Sequence, residues 1–83
     1  MQNSTQNIST DIKLYSVKEV ASLLSISKNR VYDLIYANRI PAMDLGGLKV
    51  RHEALADFLK NTEGYEVDFN HPENLYVLQK RTA

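Results

Sequence analysis

Cysteine and tryptophan are absent from this 83-residue chain, proline occurs twice and glycine three times, and the net charge is zero. Without cysteine there is no disulfide framework, no thiolate nucleophile and no cysteine-based zinc site, which is compatible with a reducing compartment. The opening Met1-Gln2-Asn3-Ser4-Thr5-Gln6-Asn7 has neither a basic nor an apolar region of the kind an export signal needs. No later stretch approaches the roughly 18 apolar residues of a membrane span. The expectation is a cytoplasmic protein with no membrane partner, in which the glycosylation-like Asn3-Ser4-Thr5 and Asn7-Ile8-Ser9 carry no meaning.

Catalytic patterns are missing too. There is no close pair of carboxylates in an expected cleft, no phosphate loop, and no scaffold for a nucleophile, base and orienting acid. His52 and His71 stand singly, without ligand spacing, and read as surface or capping residues rather than metal ligands. A domain this small buries only about 60% of its unfolded surface, so a deep cleft would compete with the core for its few large apolar residues. A binding module is expected, with no enzymatic activity, cofactor, metal or small-molecule ligand.

Hydrophobic residues make up 43% and charged residues 24%, the balance of one globular domain. Zero net charge argues at first against nucleic acid, but the charges are unevenly spread. Residues 13–60 carry Lys13, Lys18, Lys28, Arg30, Arg39, Lys49, Arg51 and Lys60 against Glu19, Asp33, Asp44, Glu53 and Asp57. Residues 61–83 carry Glu63, Glu66, Asp68 and Glu73 against Lys80 and Arg81. The middle is mildly basic and the tail acidic.

The chain divides into three segments. Residues 1–13, mostly Asn, Gln, Ser and Thr, hold no periodic apolar pattern and read as a flexible arm. Residues 14–60 read as the folded domain. Ser16 and Glu19 form a Ser-x-x-Glu capping box, and Val17, Val20, Ala21 and Leu24 then recur on one helical face, predicting a helix over 17–24. After the short Ser25-Ile26 turn, Ser27 caps a second helix over 28–37 whose apolar set is Val31, Leu34 and Ile35. Asn38 tolerates the left-handed conformation that ends a helix, and Pro41 prevents its resumption. Two capped helices with so short a link make a helix-turn-helix pattern. Residues 42–51 then read as a hairpin about Gly46-Gly47, a candidate wing. Leu55, Phe58 and Leu59 place a third helix over 52–60.

The acidic tail, 61–83, is ambiguous: Tyr65–Phe69 alternates like a strand, whereas Pro72–Leu78 can start a short helix with Pro in its first turn. It reads either as disordered in isolation or as a partner-binding segment.

If helix 2 buries Val31, Leu34 and Ile35, its opposite face presents Asn29, Asp33 and Tyr36, flanked by Lys28, Arg30 and Tyr32. Such residues suit a DNA groove. Arg and Lys match guanine or phosphate, Asn pairs with adenine, and Tyr offers a phosphate hydrogen bond plus apolar area beside a thymine methyl. Asp33 repels phosphate and so must face a base or buttress a basic neighbour. The alternative is the solvated face of a short helix. Ser16 and Ser27 serve as caps, and the helix N-termini they mark, with Lys18 nearby, can also approach phosphates. In the hairpin, Gly47 sits at the turn while Lys49 and Arg51 share one strand face, as in a wing touching DNA or an amphipathic edge strand.

The run from Leu14 to Ser27, with Tyr15, Ser16, Glu19, Ala21 and Leu24 in register, continues through Val31-Tyr32-Asp33-Leu34-Ile35 to Ile40-Pro41-Ala42 and Leu45-Gly46-Gly47. With Arg51, Glu53, Ala54 and Leu55 it resembles the excisionase family of MerR-type winged-helix domains, over about residues 14–60. The resemblance implies a mainly α fold with a small β-hairpin, a winged helix-turn-helix, and binding of double-stranded DNA by a major-groove helix with a wing on adjacent backbone.

It further implies a bacterial or phage setting, in which such proteins bend the DNA of a mobile element or prophage and steer an integrase toward excision. Lys28, Asn29, Arg30 and Tyr32 match the recognition-helix positions, and Lys49 and Arg51 lie in the wing. Asp33, Asp44 and Leu48 stand where relatives often have basic residues. The stretch beyond Lys60 is too short for the dimerisation helix and effector domain of MerR regulators, so ligand sensing is not expected. The sequence also admits a transcriptional regulator on the same fold, and a protein-interaction adaptor docking through the helix face or through Tyr65, Phe69, Leu75 and Tyr76.

Overall fold

Local capping chemistry sets the first two helices of the computed structural model, which describes residues 12–78. The Ser16 hydroxyl accepts the Glu19 N–H at 3.1 Å while Glu19 Oε1 accepts the Ser16 N–H at 2.8 Å, closing the expected box. Helix α1 (Val17–Leu24) ends where Ser25 turns left-handed at φ 58°, and the Ser25 and Ile26 amides fold back onto the carbonyls of Ala21 and Ser22. Ser27 opens α2 (Lys28–Tyr36) by accepting the Arg30 N–H at 3.2 Å. Asn38, at φ 61°, reverses the chain after it.

A three-stranded antiparallel sheet packs with these helices. Strand β3 (Leu48–Arg51) is central, flanked by β1 (Leu14–Ser16) and β2 (Met43–Asp44). The register pairs Tyr15 with Val50 and Ser16 with Lys49 on one side, and Met43 with Lys49 on the other. β3 is therefore no edge strand, which corrects one of the two readings of Lys49 and Arg51. β1 has no signature of its own, since three residues show no periodicity and only the partner strand defines them. The β2–β3 turn is also longer than two residues: Leu45, Gly46 and Gly47 form it, with Gly46 at φ 77° and Gly47 at φ 148°. Asp44 Oδ1 accepts the Gly47 N–H at 2.9 Å.

β3 runs directly into α3 (His52–Thr62). The buried core collects Val17, Val20 and Ala21 from α1, Val31, Leu34 and Ile35 from α2, Ala54, Leu55 and Phe58 from α3, and Ile40 and Val50. Leu59, expected inside, is 46% exposed because Ala54, Leu55 and Phe58 already define the inward face and leave it on the flank. Leu24 is half-buried rather than buried.

The tail corrects one expectation. Gly64, at φ 84°, turns the chain into β4 (Tyr65–Val67), which pairs antiparallel with β5 (Leu75–Val77). No helix forms over Pro72–Leu78. The carbonyls of Pro72 and Glu73, which a helix would direct to the amides of Tyr76 and Val77, instead accept Arg39 Nε at 2.9 Å and Arg39 Nη2 at 2.6 Å. The arm expected over residues 1–13 lies mostly outside the described residues, as do Lys80 and Arg81. Within it, the Lys13 carbonyl accepts the His52 N–H at 3.1 Å.

Candidate nucleic-acid interface

Burial of one face of α2 decides what the other face presents. Val31 and Leu34 are 0% and 1% exposed, and Ile35 is buried beside them. Lys28, Asn29, Arg30, Tyr32, Asp33 and Tyr36 all remain exposed. At about 100° per residue, Asn29, Asp33 and Tyr36 project opposite the core. Lys28 and Tyr32 fall on one flank and Arg30 on the other. The Tyr32 and Tyr36 rings stack at 6.1 Å with an interplanar angle of 14°. Stacking one turn apart holds two large amphipathic side chains upright on the surface, which lowers the entropy either loses on meeting a ligand.

Asp33 forms no ion pair among the described residues, and its exposed carboxylate can accept hydrogen bonds and repels phosphate.

The second set of residues gathers around the sheet. Direct cross-strand partners share a face, so Ser16, Lys49 and Met43 form one row on the side away from Val50, with Leu14 and Arg51 as the next row. Lys49 thus lies across from the capped start of α1, where the helix amides carry partial positive charge and Lys18 is exposed. The Ser16 hydroxyl oxygen is committed to the cap, but its proton remains available to donate.

Arg51 Nη1 lies 3.3 Å from Glu53 Oε1, with both side chains more than half exposed. Such a pair is worth less than about 1 kcal/mol and is readily exchanged for a phosphate. Gly47 stands at the turn, its N–H held by Asp44. Asp44 consequently serves the turn, whatever it subtracts from the local positive potential.

Two contacts to α2 and its exit come from outside the region that the sequence pattern singles out. The Arg30 guanidinium lies over the Phe69 ring, 4.5 Å from its centroid, and Arg39 clamps the β4–β5 loop through Pro72 and Glu73. Sequence reasoning counted Arg39 only as a charge, and Phe69 as the end of a strand-like alternation and as a docking aromatic. The available signal was weak: Arg39 follows a helix-ending Asn38 and no acidic residue lies within reach along the chain.

His52 Nδ1 and the Tyr15 hydroxyl hydrogen-bond at 2.8 Å, and His71 Nδ1 lies 3.6 Å from Asp68 Oδ2. No group of three or more potential metal ligands occurs among the described residues. None of their helices is long and apolar enough to cross a membrane.

Comparison with curated proteins and with solved structures yields no match. A family model described as a helix-turn-helix domain matches residues 14–63, which is more than half of the chain. It takes in β1 through α3, the wing and the whole of α2, and stops before the β4–β5 hairpin. The architecture of three helices with small antiparallel strands agrees with it. This chain therefore belongs to the excisionase-like family of helix-turn-helix domains and is a DNA-binding protein.

Proposed function

We propose that the chain is a sequence-specific architectural factor of a bacterial or phage mobile element, which bends its DNA site and directs site-specific recombination. The observation that carries this reading is the solvent face of α2. Asn29, Asp33 and Tyr36 make a polar and aromatic stripe between Lys28 and Arg30, on a helix whose other face is locked into the core. In this reading Arg30 and Asn29 read base edges, Asp33 accepts from a cytosine, and Tyr32 and Tyr36 add apolar area beside thymine methyls. Ser27 and Lys28 approach phosphate at the start of α2. Ser16, Lys18, Gly47, Lys49 and Arg51 form the backbone-contacting side.

A recombinase partner fits the second hairpin. Among the described residues β4 and β5 pair only with each other, and Tyr65, Tyr76 and Val77 are 45%, 52% and 72% exposed. Open strand edges with exposed aromatic and aliphatic side chains suit strand addition or packing by another protein. A regulatory role at a promoter uses the same groove face, and distortion of the site separates the two.

Selection of bound duplexes from a random pool, followed by salt titration of the enriched sequence, tests the assignment. The expected result is an enriched motif and a log–log salt slope of a few units that falls by about two in a Lys28→Ala/Arg30→Ala variant if both side chains contact phosphate, or less if Arg30 reads a base. Phased-bend gels on that duplex should show a bend. A selected motif bound without distortion would move the protein to the regulatory role, and absence of enrichment would remove the groove assignment.

A further inference from the structure

The β4–β5 loop does more than close a hairpin. Its Phe69 is half-buried and packs against the core while its ring receives the Arg30 guanidinium. The ring is held from both ends of the loop. Asp68 Oδ1 accepts the Asn70 N–H at 3.0 Å and the Asp68 carbonyl accepts the His71 N–H at 2.9 Å, while Arg39 grips Pro72 and Glu73. While the hairpin is closed, Phe69 is thus a tethered platform beside a flexible side chain.

A guanidinium over a ring is not a consumed one. The Arg30 side chain makes no hydrogen bond or ion pair among the described residues, so its N–H donors are not taken up by protein acceptors. Glu66 and Asp68 border the same shallow hollow, yet neither forms an ion pair with Arg30. Arg30 therefore keeps both its charge and its donors, with fewer orientations to lose on meeting DNA.

We infer that Phe69 is a positioning residue for DNA reading: the loop of the second hairpin pre-orients Arg30 so that it addresses a defined base pair beside the α2 stripe. This inference rests on the reading of α2 as the groove helix. It assigns a specificity role to a segment that the helix-turn-helix match does not reach. The aromatic face is the required feature, because an aliphatic side chain of similar volume fills the space beside the core without holding a cation.

The test measures binding of the full chain to the selected duplex and to each of its single-base-pair variants at one salt concentration. Arg30→Ala should flatten discrimination at the base pair it reads by about ten- to hundredfold. Phe69→Ala and Phe69→Leu should each lose about two- to fivefold at that same base pair with an unchanged salt slope, while Phe69→Tyr retains discrimination. Combining Phe69→Ala with Arg30→Ala should cost no more than Arg30→Ala alone. Thermal melts of the Leu and Tyr variants, expected to coincide, show that packing is preserved.

Discrimination kept by Phe69→Leu, or losses that add in the double variant, would overturn the positioning role while leaving the groove reading intact. A uniform loss on every sequence in Arg30→Ala, with a lower salt slope, would make Arg30 a phosphate contact and overturn the specificity role. An Arg30→Ala variant that binds as wild type would remove Arg30 from the interface, and the inference with it.

Discussion

The described residues hold two β-hairpins that are anchored in different ways. In the first, β3 is paired on both sides and Val50 is 0% exposed, so the wing is continuous with the core that holds α1 and α2. In the second, β4 and β5 have only each other among the described residues, and a two-stranded ribbon is marginal by itself. Its attachment is a few side chains: Val67 and Phe69 against the core, and Arg39 across the loop. A strand pair integrated into a sheet shares the stability of the whole domain. A pair tethered at its loop can open without unfolding the rest.

A matched pair of introduced charges probes this difference most severely. Val50→Asp buries a carboxylate with no partner, a cost of several kcal/mol against a total of about 5–15 kcal/mol for a domain. It should abolish the cooperative thermal transition followed by circular dichroism. Val77→Asp, at a site already 72% exposed, should shift unfolding free energy by no more than about 0.5 kcal/mol.

A smaller effect tests the tether itself. Arg39→Ala removes two charge-assisted hydrogen bonds, a part-buried one to Pro72 worth about 1.5–3 kcal/mol and an exposed one to Glu73 worth less. Hydrogen exchange should quicken at the amides of β4 and β5 by about tenfold or more, with α1, α2 and β3 unaffected. Equal acceleration everywhere would mean that the second hairpin unfolds only with the domain.

A modest change lies at the caps. Ser27→Ala should destabilise by about 1 kcal/mol, read as a lower urea midpoint at constant slope. Because α2 belongs to the integrated core, this loss should register in the global transition, while exchange in β4–β5, which opens by its own route, should stay unchanged.

Ser16, Glu19, Ser27 and Asn38 were readable as helix boundaries because each acts on backbone groups within a few residues of itself. The stripe Asn29, Asp33 and Tyr36 was readable because helical periodicity ties the exposed face to the buried one. Leu59 was misplaced for the complementary reason: periodicity defines an apolar arc, and packing decides which part of the arc turns inward. Pro72–Leu78 was read as the start of a short helix, and the pairing of Leu75–Val77 with β4, beside a contact from a distant arginine, made a strand there instead.

Interactions of short chain separation set the order and bounds of the three helices, the Gly-Gly turn and the chemistry available on α2, and these are legible residue by residue along the chain. The compact core decided the rest: that β1 joins β3, that Arg39 reaches a loop 33 residues away, and that Phe69 lies beneath Arg30. Each depends on where packing brings distant backbone together. Neither arginine nor phenylalanine carries a local pattern that names its partner.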